Sequence, residues 1–288
     1  MIGQMNELKA GRALVLGGGG LAGIAWEIGL LAGLAEAGVL LRDAELIIGT
    51  SAGSTVAAQL ASGLPLTELL ARQVDPAKQV DEIVVEMDME KAAALFGQDG
   101  EAPRSRAELR RQIGRVALLT DTIGEAPRHA VIEARVPVDA WPEQQRVLIV
   151  AVDANTGAER VFDRDSGVSL VDAVAASCAV PGIWPPVTIG DTRYVDGGVR
   201  SGENADLAAG HDVVLVLQAM ELPGVTDLAD QVAALRQQGA TVLVIKPDEN
   251  VLAAMGTNPL DPAIRQTTAE AGLRQGVAVA AETAAFWG

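Results

Sequence analysis

The chain has 288 residues and a mass of 29.8 kDa, and its 49% hydrophobic content is enough for one large α/β domain or two small ones around a substantial core. With 38 acidic side chains against 22 basic ones the formal charge is −16, which sets nucleic-acid binding aside, because phosphate backbones are held by cationic side chains that release counterions. One cysteine, Cys178, allows neither an internal disulfide nor a cysteine zinc cage, and two histidines, His129 and His211, leave little material for a histidine-rich metal site.

Met1 to Lys9 is polar and lacks the basic stretch, apolar run and cleavage site of a secretory signal, so a cytoplasmic address is expected. Next, Ala13 to Leu16 is a short apolar run ending at Gly17-Gly18-Gly19-Gly20, followed by a helical pattern from about Leu21 to Ala37. The apolar window Leu21 to Leu40 is interrupted by Glu27 and Glu36 and reads as a buried helix, not a membrane span. Leu46 to Ile48 makes a second strand that runs into Gly49-Thr50-Ser51-Ala52-Gly53 and a small-residue helix, Ser54 to Ala61.

From about 75 to 142 the pattern weakens, with an acidic cluster (Asp81, Glu82, Glu86, Asp88, Glu90) and an arginine-bearing helix over Arg104 to Arg115; a helical insertion over the sheet is expected. Val147 to Val152, Val213 to Leu217 and Thr241 to Ile245 are further buried strands, separated by helical segments at Val168 to Cys178 and Asp227 to Gln238. Asp261 to Trp287 reads as a long alanine-rich helix. Strands alternating with helices predict a mostly parallel sheet covered on both faces. No repeat or linker marks a boundary, so one domain is expected: a main part over 11–220 with its insertion at about 75–142, and a strand and helices over 221–288 that complete it.

Gly49 to Gly53 fits Gly-x-Ser-x-Gly, in which small residues flank a serine on a strained strand-to-helix turn, and this makes Ser51 the candidate nucleophile. The bare motif is weak, and its weight comes from the strand before it and the helix after it. The glycine run, with Gly23 completing Gly-x-Gly-x-x-Gly, lets backbone N–H groups converge on an anion at a helix N-terminus. That anion is either a tetrahedral acyl intermediate or a pyrophosphate, and a dinucleotide fold wants a ribose-binding carboxylate where this chain has Gly49-Thr50-Ser51. The serine needs a base. Asp196, followed by Gly197 and Gly198, is the leading candidate, with Asp153, His129 and His211 as rivals.

Together these elements resemble the patatin-like phospholipase family. The glycine loop Gly17 to Gly23, the elbow Gly49 to Gly53, and the stretch Ala175 to Pro186 leading to Tyr194-Val195-Asp196-Gly197-Gly198 stand in the family's order across about residues 11–220. The resemblance implies a three-layer α/β/α sandwich and a serine lipid acyl hydrolase. In it Ser51 is the nucleophile, Asp196 the base, and the amides of Gly18, Gly19 and Gly20 the oxyanion hole, with no cofactor and no metal. The loop departs from the family at Ala22, where bacterial members commonly carry Arg or Lys, so it lacks a positive side chain while keeping its backbone donors. Ile183, Trp184, Pro185 and Pro186 are expected to form an apolar wall near the site. An aspartate titrates near 4, so burial has to raise its pKa if it is to act as a base.

The expected partner is a lipid or other acyl ester, with at most transient membrane contact: lysine occurs only as Lys9, Lys78, Lys91 and Lys246, and an acidic chain without a basic cluster is repelled by anionic bilayers. Two alternatives stand beside this reading. One is an acyltransferase resembling the acyl carrier protein transacylases, which pair the serine with histidine. The other is a non-enzymatic member that binds lipid or a partner protein.

Overall fold

The computed structural model describes residues 11–84, 105–221 and 227–288; Lys9, Glu86, Asp88, Glu90, Lys91 and Arg104 lie outside them. In chain order the elements are β1 (Arg12–Leu16), α1 (Gly20–Glu36), β2 (Leu46–Gly49), α2 (Ala52–Ala61), α3 (Leu66–Val74), α4 (Arg106–Leu119) and α5 (Glu125–Arg135). They continue with β3 (Arg146–Asp153), β4 (Glu159–Phe162), α6 (Leu170–Ser177), β5 (Val187–Ile189), β6 (Thr192–Asp196), β7 (Val213–Leu217), α7 (Asp227–Gln237), β8 (Thr241–Ile245), α8 (Glu249–Met255) and α9 (Arg265–Trp287).

The sheet runs β5-β6-β3-β2-β1-β7-β8, with β4 also on β3. Its centre, β3-β2-β1-β7-β8, is parallel, and the β4, β5 and β6 pairings are antiparallel. β3 organises the site. Ile149 pairs with Gly49 of β2 on one edge and Phe162 of β4 on the other, while Ala151 pairs with Asp196 of β6 and Arg160 of β4. Since β4 occupies one edge throughout, β2 and β6 share the other, meeting end to end from opposite directions.

Alternate side chains of the strands feed two cores, as the period of two requires. Leu14, Leu16, Ile47 and Ile149 point to the larger core with α1, α2, α5, α6 and α9, and Ala13, Val15, Ile48 and Val150 point to a smaller one under α7. The result is a three-layer α/β/α sandwich with a mostly parallel central sheet. Helix α1 is buried without a break from Leu21 to Leu34, because α2, α3 and α9 pack around it. It lies close against α9 where glycines leave room: a Cβ on Gly33 would stand 2.1 Å from the Leu273 carbonyl oxygen, and one on Gly276 2.3 Å from that of Leu30.

The described part of the region 75–142 is helical and packs on both faces of the sheet. Ala117 of α4 packs with Val152, Ala154 and Val195, whereas Ile132 of α5 and Val136 join the larger core, so the chain passes from one layer to the other. Gly114 permits this, since a Cβ there would meet the Ala154 carbonyl oxygen at 2.2 Å. The segment 227–288 adds β8 to the edge of the same sheet and lays α9 over α1. Among the described residues no helix is long and apolar enough to cross a membrane.

Candidate active site

Ser51 stands between the end of β2 and the start of α2 with φ 51° and ψ −114°, a conformation that L-residues avoid and that costs on the order of 1–3 kcal/mol. Its surroundings hold the peptide there. The Ser51 N–H donates to Ser177 Oγ at 3.0 Å, and the Ser51 carbonyl accepts from Ser54 Oγ at 2.6 Å and Cys178 Sγ at 3.2 Å. The neighbouring Thr50 N–H donates to the Leu16 carbonyl at 3.1 Å, and Asn204 Nδ2 donates to Thr50 Oγ1 at 2.9 Å. Gly49 and Gly53 are steric requirements, because a Cβ on Gly53 would lie 2.1 Å from the Leu16 carbonyl oxygen and one on Gly49 2.6 Å from Ser54 Cα.

Asp196 closes β6 and faces the same point from the other direction. In register on β3, Gly49 and Asp196 are two residues apart, about 7 Å along the strand. The Asp196 N–H donates to the Ala179 carbonyl at 3.0 Å, and Oδ1 accepts the Gly198 N–H at 2.7 Å. Gly197 lets the chain turn against β3, where a Cβ would meet the Val150 carbonyl oxygen at 2.3 Å. Asp196 is 5% exposed, and among the described residues its Oδ2 has no hydrogen-bond partner. Burial raises its pKa to about 6, while the Ser51 hydroxyl, the Gly198 amide and the Arg128 guanidinium pull the other way.

In the glycine loop the four amides have different fates. Gly17 N–H donates to the Leu217 carbonyl at 3.0 Å and Gly18 N–H to the Gly202 carbonyl at 2.9 Å, so for Gly18 the structure departs from the expected oxyanion donor: its amide is spent on loop packing. Among the described residues the Gly19 and Gly20 amides have no acceptor, nor does that of Ala52, the residue after Ser51 and the first of α2. These open the N-termini of α1 and α2, where the helix dipole adds partial positive charge. Gly20 adopts φ +62°, and Gly23 N–H caps back onto the Gly19 carbonyl at 2.8 Å. Gly18 packs directly on the nucleophile, since a Cβ there would be 3.5 Å from Ser51 Cβ.

Gly20, Ser51 and Ala52 line one cleft with Leu21, Ile24, Glu82, Arg128, Arg135, Cys178, Val180, Trp184 and Leu260. Of the expected apolar wall, Trp184 reaches this cleft; its ring centroid lies 3.8 Å from Arg128 Cζ. Glu82 bridges two buried guanidiniums, with Arg135 Nε at 3.0 Å and Arg265 Nη1 at 3.7 Å. Neither histidine enters. His211 Nδ1 lies 3.1 Å from the Ala208 carbonyl at the other end of the sheet, and His129 Nε2 lies 2.8 Å from Asp172 Oδ1. Asp153 Oδ1 accepts the amides of Asn155 and Thr156 at 2.8 and 3.1 Å, a turn-forming role. Among the described residues no group of three or more His, Cys, Asp or Glu side chains is arranged to hold a metal.

Ser177-Cys178-Ala179, read from the sequence only as part of the stretch that carries the resemblance, bond Ser51 twice and Asp196 once and so gauge the distance between them. Arg128 carried no signal, as a lone arginine on an amphipathic helix.

Comparison with solved structures finds similarity to VipD from Legionella pneumophila, with a TM-score of 0.47 and 14% identity over 95% of this chain and 67% of that one. The type III effector ExoU matches with a TM-score of 0.39 and 18% identity, over 93% of this chain and 53% of its own length, so the chain spans about half of ExoU. ExoU in its heterodimeric complex with SpcU from the type III secretion system of Pseudomonas aeruginosa matches with a TM-score of 0.36 and 16% identity, over 93% of this chain and 52% of that one. No curated protein matches the chain. The model of patatin-like phospholipases matches residues 14–209, a span that takes in more than half the chain from β1 past Asp196, and the protein belongs to that family.

Proposed function

We propose that the protein hydrolyses acyl esters of lipids through a Ser51–Asp196 dyad. What carries this reading is the end-to-end meeting of β2 and β6 on β3, which sets a conformationally strained Ser51 beside a buried Asp196 carboxylate that has one unsatisfied oxygen. With a pKa of about 6, Asp196 is ionised at neutral pH and still basic enough to accept a proton. As the hydroxyl attacks the ester carbonyl, its proton passes to Oδ2. The carbonyl oxygen gains negative charge against the free amides of Gly19, Gly20 and Ala52. Collapse of the intermediate expels the alcohol, which takes its proton from Asp196, and leaves the acyl group on Ser51 Oγ. Water activated by the same carboxylate then releases the fatty acid.

No histidine is needed in this cycle, and the bonding of His129 and His211 elsewhere counts against the transacylase alternative. A cytoplasmic address and brief membrane contact belong to the same proposal; the charge of −16 favours dispersed or zwitterionic esters over anionic vesicles. A fluorophosphonate probe tests the core of it. Labelling of the native protein at Ser51, lost in Ser51→Ala, is expected; a folded native protein that stays unlabelled would refute the assignment and favour a purely binding role.

A further inference from the structure

Arg128, on α5, is 6% exposed and lines the cleft with Ser51 and Gly20. Among the described residues its Nε and Nη1 have no hydrogen-bond partner, and no carboxylate reaches it within ion-pair distance. Its buried neighbours are different. Arg135 is gripped by both oxygens of Glu82, and Arg265 bonds the carbonyls of Val80 and Arg72 beside Gln73 and Glu82. The Trp184 ring lies against Arg128, with its centroid 3.8 Å from Cζ, and fixes the guanidinium without occupying its in-plane N–H groups.

A buried guanidinium with unused donors is costly on its own, and its planar fork suits two oxygens of a tetrahedral anion. The glycine loop supplies no competing cation, since position 22 is alanine. Of the charges near Arg128, Arg135 and Glu82 are paired with each other, and Asp196 has Oδ1 on Gly198. Burial lowers the Arg128 pKa to about 10, so it is cationic throughout the neutral range.

From this geometry we propose that Arg128 determines substrate choice by holding a phosphate carried on the same molecule as the ester presented to Ser51. The proposal rests on the hydrolase reading for the identity of the ester and is tested by binding, which does not depend on turnover. Ser51→Ala protein is titrated calorimetrically with dihexanoylphosphatidylcholine below its micellar concentration, with the phosphate-free dihexanoylglycerol, and with inorganic phosphate. Adding Arg128→Met is expected to weaken phosphatidylcholine binding at least about tenfold and dihexanoylglycerol binding less than about threefold, with Arg128→Lys retaining part of the difference. Equal losses for both lipids, or none for either, would overturn the proposal. So would inorganic phosphate binding as tightly as the phospholipid and losing its affinity in Arg128→Met, which would mark a free-anion site.

The melting temperature separates this role from a structural one. Arg128→Met removes an unpaired buried charge and is expected to melt no lower than its parent; Arg128→Gln replaces it in the titration if Met does not fold. A marked drop in melting temperature for every variant would mean that Arg128 holds the fold together and would overturn the assignment. If Ser51→Ala keeps turning over the lipid, the nucleophile assignment falls while the dependence of binding on Arg128 stands.

Discussion

Replacing Asp196 by Asn is expected to stabilise the protein while abolishing hydrolysis. The carboxyl is buried, and burial raises its pKa from 3.8 to about 6. In the unfolded chain it ionises near 3.8, so above that pH the folded state resists an ionisation that the unfolded state makes freely. The stability lost grows from nothing at low pH to about 1.6 kcal/mol at pH 5 and about 3 kcal/mol at pH 8, at 1.36 kcal/mol per pKa unit. Asparagine does not ionise and keeps an oxygen for the Gly198 N–H, so the variant's advantage should widen over that range. Urea denaturation of both proteins at pH 5 and pH 8 reads the difference directly. Hydrolysis of a short-chain ester by the native enzyme should rise with pH through an apparent pKa near 6 in kcat/KM. A stability gap that stays flat or narrows towards pH 8, or wild-type turnover by the variant, would refute the account of Asp196 as a buried base.

Ser51→Gly should exceed Ser51→Ala in stability by about 1 kcal/mol, because both lose the hydroxyl but only glycine relaxes at φ 51°; equal urea midpoints would contradict the strain argument. Gly20→Ala combines φ +62° with a Cβ 2.8 Å from the Pro259 carbonyl oxygen, and displacing that amide should lower kcat by about two orders of magnitude. Gly38→Ala, at φ +88° with nothing within 4 Å, should cost stability alone and leave turnover intact. Glu82→Gln leaves Arg135 and Arg265 buried without their shared carboxylate, and thermal or urea unfolding should register a loss of about 3–5 kcal/mol.

How much of this was legible in the sequence depends on how local each feature is. Ser51, Gly49, Gly53 and the glycine run could be read because a tight strand-to-helix turn restricts φ and space within a few residues, and only small side chains meet the restriction. The parallel core strands were legible for the same reason, being short and apolar on both faces. β4, β5 and β6 were not anticipated as strands: they carry polar and charged residues such as Glu159, Arg160, Thr188 and Arg193, and are held by pairing with β3 or with one another. Asp196 was readable as an aspartate before two glycines, but its burial was not, since that depends on Ala179 and Val150.

The sequence by itself therefore determined the layered α/β class, the elbow, the glycine loop and the residue types able to do acyl chemistry without histidine. Tertiary structure decided that β2 and β6 end against each other on β3, that Gly18 spends its amide on Gly202, and that Arg128 is left facing the cleft beside Trp184. The physical reason is range. Backbone strain and strand hydrophobicity are set by neighbours in the chain, whereas an amide's acceptor or a guanidinium's lack of one is set by groups many residues away.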